Sequence, residues 1–400
     1  MPLSRNNYEY YNTVILGAGM AGLGAATRFT QLGYREFLIV EAQNKPGGRI
    51  QTITVDEQPL DIGAQWLHGK DNPLYEIALK HNLLADETSE EGLGIFIRND
   101  GTVLDEFLVK IVDFQIGKIL EECQSFVDKS VFPTSVGDYL VEKFYKYLES
   151  CDDSDAVRQM KLELFDWHLR FQIVDNSCPN LRRLSAKYWG SYICLDDIAH
   201  YNIKGGYQSL LDVIIQGLPK DNSIDKMGFY GIAKIYLFFE DKWWGDMKGF
   251  QFLWKSGTVF EIEENWIRHL TGFDEVFGQP NALIGWVGSD GVEQVEKLSE
   301  IEVGSVCINT MRKFLPGYDI PEPKQVLRTK WNSNPYVKGS YCHITPECDH
   351  SDSAIHKLAE PIYINDVPKI IFAGEAVHPS HYSTTHGAYE SGQQQAAFAS

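Results

Sequence analysis

No stretch of this 400-residue sequence is apolar for long enough to span a bilayer, and Met1–Asn12 lacks the apolar core of a signal peptide. Positive charge is scarce: 36 Lys and Arg stand against 55 Asp and Glu, a formal net charge of −19. Without a basic field to hold phosphates, nucleic acid is not expected as a partner. The same acidity would steer cationic ligands inward, although much of such a surplus serves only solubility. No Cys-x-x-Cys pair occurs among Cys123, Cys151, Cys178, Cys194, Cys307, Cys342 and Cys348, and their number is odd. A disulfide framework or a zinc site is therefore poorly supported, and a reducing compartment is expected. The chain ends in Ala-Phe-Ala-Ser, not in a Ser-Lys-Leu signal. Internal repeats and low-complexity tracts are missing as well.

What the sequence has is aromatic and apolar material: 44% hydrophobic residues, with 9 Trp, 20 Tyr and 21 Phe. That suffices for a sizeable core and excludes general disorder. The length suits two or three domains, or one nucleotide-binding fold with an insertion. Thr13–Leu16 and Phe37–Val40 read as buried strands around a helix over Leu23–Gln31. From Pro73 to about Leu169 the pattern is helical, with apolar spacings of three and four over Leu104–Val127 and Val136–Leu148. Strands return at Ile232–Phe239, Phe250–Trp254 and Leu283–Val287. One long helix is predicted over Val292–Phe314, strands over Gln325–Trp331, Gly339–Ile344 and Ile370–Ala373, and a last helix over Gly387–Phe398.

Gly17-x-Gly19-x-x-Gly22 stands after a strand and before a helix. The first glycine permits a tight turn, the second lets backbone approach a pyrophosphate, and the third lets helix pack on strand. The helix N-terminus offers unpaired N–H groups to phosphate. Glu41, nineteen residues after Gly22, is placed to accept ribose hydroxyls. Gly47-Gly48-Arg49 adds an arginine able to neutralise the same pyrophosphate, which points to FAD rather than NAD.

These motifs, with Asp61-Ile62-Gly63-Ala64-Gln65-Trp66-Leu67-His68-Gly69, resemble the flavin-dependent amine oxidases, and most of all the polyamine oxidases (spermine oxidase and N1-acetylpolyamine oxidase). The C-terminal part agrees, with Trp331-x-x-x-Pro335-Tyr336-x-x-Gly339-Ser340-Tyr341, Phe372-Ala373-Gly374-Glu375-Ala376 and Tyr382-Ser383-Thr384-Thr385-His386-Gly387-Ala388. The resemblance implies an α/β fold. A Rossmann-type FAD-binding domain (1–72, 188–226 and 366–400) would carry an inserted α+β substrate-binding domain (73–187 and 227–365). It implies that Gly17, Gly19, Gly22, Glu41, Gly48 and Arg49 hold the ADP half of FAD. Gln65 and Trp66 would lie along the isoalloxazine, with Trp331, Gly374, Glu375 and Thr385 also on the cofactor, bound without a covalent link. Thr384–Ala388 would aim a helix N-terminus at the flavin's pyrimidine edge.

The implied chemistry is hydride transfer from the carbon beside a neutral amine to flavin N5. Spermine, N1-acetylspermine or N1-acetylspermidine would give an aldehyde, a shorter amine and, with oxygen, hydrogen peroxide. Lys234 would hold a water against N5, His68 would lie near the substrate nitrogen, and Tyr341 and Thr384 would flank the substrate. From the strand alone, Lys234 reads as an edge lysine snorkelling into solvent, and Tyr341 reads almost equally well as core. His378, His381 and His386 have no clean metal-ligand spacing, and no metal is expected. Asp196 and Asp197 read as a solvated loop or as part of an acidic tunnel.

The resemblance breaks at Pro219–Lys226, eight residues where the family carries several strands, so the cofactor-domain sheet is expected to be incomplete. Two other readings stay open. One is a catalytically inactive truncated relative. The other is a monoamine oxidase, disfavoured because Ser340 stands where such enzymes carry the flavin-linking cysteine. A histone demethylase is disfavoured by the lack of an inserted helical tower. A monomer in the cytoplasm or peroxisome is expected.

Overall fold

The computed structural model describes residues 11–43, 45–193, 200–218, 231–350 and 354–399. Strand β1 (Thr13–Leu16), helix α1 (Met20–Gln31) and strand β2 (Phe37–Val40) form the first unit, the strands parallel and paired from Thr13–Phe37 to Leu16–Val40. The helix sits close because Gly22 has no side chain: a Cβ there would lie 1.8 Å from the Gly17 carbonyl oxygen. Gly17 has φ +104°, which side-chain-bearing residues avoid. Met20, Leu23, Ala26 and Phe29 form the buried face of α1.

Hairpin β3 (Thr52–Val55) and β4 (Gln58–Asp61) turns at Asp56 and Glu57, both at positive φ. Strand β5 (Leu67–His68), helix α2 (Pro73–Lys80) and strands β6 (Leu84–Ser89) and β7 (Ile95–Arg98) lead to helices α3 (Glu106–Gln124), α4 (Val136–Glu149) and α5 (Asp155–Asp175). Asp105, Ser135 and Ser154 each accept a first-turn N–H and start these helices. Ile116, Phe144 and Phe165 meet in the helical core, the two phenylalanines stacked at 4.2 Å. The helical reading of 73–169 therefore holds at α2 and again from α3 onward. It fails at β6 and β7, whose strand partners lie far away in sequence.

Strand β8 (His200–Ile203) lies between β5 and β6 in a three-stranded sheet, and α6 (Tyr207–Gln216) follows it. Next come β9 (Ala233–Phe238), β10 (Gly249–Leu253), β11 (Gly272–Val276), β12 (Gln279–Val287), α7 (Gly291–Lys297), α8 (Glu300–Phe314) and β13 (Gln325–Arg328). The sheet runs β13-β9-β12-β11-β10-β7, antiparallel except for the parallel β10–β7 pair. The helix expected over 292–314 is two helices. Ser299 and Glu302 form a capping box, each satisfying the other's backbone N–H, and so begin a new helix at Glu300. On β9, Ala233, Ile235 and Leu237 share a core with Val303, Cys307 and Met311 of α8, while Tyr236 and Phe238 face a second core.

Helix α9 (Ala354–Ala359), hairpin β14 (Ile362–Ile364) and β15 (Val367–Ile370) and helix α10 (Thr385–Ala399) complete the chain. The predicted strand at 370–373 ends at Ile370, and 339–344 holds no regular element. Helices α1 and α10 touch backbone to backbone: a Cβ on Gly24 would lie 2.3 Å from the Tyr389 oxygen, and one on Gly392 2.0 Å from the Ala21 oxygen. Among the described residues β1 has β2 as its one strand partner, and Leu16 is 74% exposed. Ile362, Tyr363, Ile364, Val367 and Ile370 are exposed too. These are exposed apolar strand surfaces. The join Pro219–Lys226 lies outside the described residues. No described helix is long and apolar enough to cross a membrane.

Candidate active site

Strand alternation turns Lys234 away from the α8 core, and cross-strand register sets it opposite Trp286 of β12. Its Nζ lies 4.7 Å from the Trp286 ring centroid and donates to Gln65 Oε1 (2.8 Å), the Gly63 carbonyl (2.9 Å) and the Asp61 carbonyl (3.3 Å). The residue is 6% exposed, so the snorkelling alternative is corrected: every donor of this lysine points inward. Burial lowers its pKa to about 8, with Asp61 and Glu91 opposing the shift. Asp61 ties several elements together. Its carbonyl also accepts Tyr236 Oη–H (2.9 Å), and its carboxylate accepts Thr52 Oγ1–H (2.5 Å) and the Tyr207 N–H (2.9 Å). Burial raises the Asp61 carboxyl above its ordinary value, against those two bonds and Lys234.

The glycine motifs converge beside this group. Gly17 N–H donates to the Val40 carbonyl (2.8 Å) and Gly47 N–H to the Ala18 carbonyl (2.9 Å), which folds the second glycine turn onto the first. Glu41 accepts N–H groups from Ala18 (3.1 Å), Ala42 (3.0 Å) and Gln43 (2.9 Å). An open recess of about 450 Å³ next to it is lined by Ala42, Gln43, Asn334 and Tyr336. Arg49 Nη1 donates to Glu375 Oε1 (2.7 Å) and the Ser340 carbonyl (2.8 Å). Trp331 Nε1–H donates to the Ile62 carbonyl (3.1 Å). Gly374 is held by Ser391 Oγ at 2.9 Å, and Thr385 Oγ1 meets Tyr207 Oη at 2.5 Å.

His68 and Trp66 meet a residue that the motifs did not mark. His200 of β8 stacks on Trp66 at 4.7 Å and meets His68 edge-on at 5.0 Å. Burial, then His200 and His386, push His68 down to about 3, so its imidazole is neutral near pH 7. Tyr341 gives its hydroxyl to the Val174 carbonyl at the end of α5 (2.7 Å). The Thr384 hydroxyl donates to the His381 carbonyl (2.7 Å) and accepts the Gly387 N–H (2.9 Å), starting α10.

Sequence reasoning also missed three acids. Burial pushes Glu91 up to about 8, Asp274 to about 7 and Asp175 to about 6, and Asp175 and Asp274 add to the shift at Glu91. Glu91 and Asp175 both bear on Tyr341, and Glu91 feels Lys234. No local pattern marks these acids, because they lie on separate elements. Asp196 and Asp197 lie outside the described residues.

Residues 20–193 and 198–398 match the family model described as flavin containing amine oxidoreductase. The peroxisomal N(1)-acetyl-spermine/spermidine oxidase of Bos taurus is 24% identical over 480 residues, spanning 96% of this chain and 93% of its own. That alignment is longer than this chain, so residues present in the relative are missing here. Lysine-specific histone demethylase 1 homolog 2 of Arabidopsis thaliana is also 24% identical, over 96% of this chain and 58% of its own. The structure of wild-type putrescine oxidase bound to putrescine superimposes with a TM-score of 0.70 at 16% identity, covering 97% of this chain and 98% of that one. That likeness speaks for the fold.

Proposed function

Because this chain belongs to the flavin containing amine oxidoreductase family, we propose that it is an oxidase of polyamines that holds FAD without a covalent bond. The observation that carries this reading is the buried Lys234, held by Asp61, Gly63 and Gln65 over Trp286 and within electrostatic reach of Glu91, an acid that also feels Asp175 and Asp274. A polycation supplies the charges these enclosed carboxyls lack, and its binding would return them to the ionised form.

The residues fit the cofactor. A Cβ on Gly17, Gly19 or Gly374 would meet nothing within 4 Å, so bare backbone there stands open to a ligand. Glu41 keeps lone pairs for ribose hydroxyls beyond the three N–H groups it accepts. Arg49 supplies the charge for a pyrophosphate. Ser340 has no thiol, and its hydroxyl accepts the Ile232 N–H (2.7 Å), which supports non-covalent binding. When bound, FAD accepts the hydride from the carbon beside the amine and passes the electrons to oxygen.

Protonated Lys234 spends its three donors on Asp61, Gly63 and Gln65. Deprotonated, near and above pH 8, it offers a lone pair to a water. Neutral His68 can accept a hydrogen bond from a substrate ammonium without repelling it. Trp66 and Tyr341 give aromatic walls that exclude water. Their hydroxyl and ring partners hold them in place, so the substrate need not order them.

The test is the visible spectrum of the purified protein, repeated after anaerobic addition of spermine. Flavin bands that bleach support the proposal. A protein that stays colourless after added FAD sinks it in favour of an inactive relative. Flavin that stays with the chain after acid precipitation would refute non-covalent binding.

A further inference from the structure

Strand β8 is fastened along both edges. Leu67 of β5 pairs with Tyr201 and His68 with His200, while β6 pairs with the same strand from the other side. Asn202 Nδ2 adds hydrogen bonds to the Glu87 carbonyl and to Ser89 Oγ, both at 2.9 Å. Directly paired residues project from the same face of a sheet, so the His200 ring rises beside that of His68. Trp66, two residues before His68, reaches the same face.

His200 meets both of these side chains. Its ring lies flat on Trp66, with centroids 4.7 Å apart and planes 15° from parallel. It stands at 89° to the His68 ring, at 5.0 Å. Trp66 is in turn 5.9 Å from Trp286, the ring over which Lys234 Nζ lies at 4.7 Å. One row of rings thus joins His68 to Lys234, and His200 is the member that touches His68 and Trp66 at once. His200 Nδ1 and Trp66 Nε1 are buried without a hydrogen-bond partner among the described residues. The hold on Trp66 is therefore one of ring faces and not of hydrogen bonds. Burial also lowers the pKa of His200, with Glu90 opposing, so near pH 7 the ring is neutral and repels neither His68 nor an approaching ammonium.

We propose that His200 is a positioning residue for amine oxidation, its ring clamping Trp66 and His68 in the orientation in which they meet the substrate. This rests on the amine-oxidase reading above, in which Trp66 is a wall of the site and His68 accepts from the substrate ammonium. Side chains ordered beforehand need not be ordered by the substrate. A misplacement of about 1 Å at such a group slows a reaction steeply.

The experiment follows anaerobic flavin reduction by saturating spermine in full-length, FAD-bound wild type, His200→Leu and His200→Phe, with melting temperatures recorded alongside. His200→Leu fills the space without a ring and should reduce its flavin about tenfold or more slowly. His200→Phe keeps a ring on Trp66 and should recover most of that loss, because Nδ1 has no partner to lose. A wild-type rate in His200→Leu overturns the proposal, even if that variant melts lower, since His200 would then only pack. Equal slowing in both variants overturns it as well, because ring faces would not be what holds the pair. If no amine reduces the wild type, the oxidase reading has failed, and the clamp is judged without turnover by the heteronuclear ¹⁵N NOE of the Trp66 indole. That NOE should fall in His200→Leu and return in His200→Phe. An indole as rigid in His200→Leu as in wild type overturns the clamp.

Discussion

Arg49 and Glu375 come from motifs near opposite ends of the chain and meet at 2.7 Å. The other oxygen of Glu375 accepts the Ser383 N–H (2.9 Å), so one ion pair joins the second glycine turn to the loop before α10. Burial works to raise Glu375, yet Arg49, Cys342 and the Ser383 N–H hold it below the ordinary value. Arg49→Met would leave a buried carboxylate without its cation. The expected loss is about 2–3 kcal/mol, below the 3–5 kcal/mol of a fully buried pair because the arginine is one-third exposed. A urea midpoint at the wild-type value would show that the pair contributes nothing.

The glycines divide into two kinds. Gly22→Ala puts a Cβ 1.8 Å from the Gly17 oxygen and must push α1 off β1. It should cost about 3 kcal/mol and lower the melting temperature. Gly19→Ala meets nothing in the protein, so the fold should tolerate it while FAD is lost from the filled cradle. Calorimetry with and without FAD separates the two. Equal destabilisation by both changes would refute the distinction.

Lys234→Met should slow spermine-driven flavin reduction about a hundredfold or more. Stability has its own signature. The folded pKa of about 8 lies below the unfolded value of about 10.4, so between them the unfolded chain binds more protons. Wild-type stability should therefore rise over that window, and the rise should be missing in Lys234→Met. Parallel stability-versus-pH curves would mean that Lys234 is not buried as a titrating group.

Glu91 has the opposite sign. Its folded pKa of about 8 lies above the unfolded value of about 4.3, so the folded chain holds the extra proton and stability falls as pH climbs between them. Glu91→Gln should melt higher than wild type at pH 8 without ligand. It should also lose part of the melting-temperature rise that spermine gives. The same spermine-induced rise in both proteins would show that Glu91 takes no part in binding the polycation.

The sequence by itself determined the first βαβ unit, the glycine turns, the capped helices α3 to α5 and the family. These depend on residues near each other in the chain: a strand, a turn of glycines, a cap before an apolar face. Lys234 shows the limit. Its strand was legible, but alone it read as an edge lysine, because what encloses it comes from β12 and from the 61–65 segment. The split at Ser299 was written locally as Ser-x-x-Glu and was masked by the apolar pattern running through it. His200, Trp286 and the acids Glu91, Asp175 and Asp274 had no local mark. Tertiary structure alone gathered them, and it alone shifted their protonation, since burial and neighbouring charge depend on packing between distant segments.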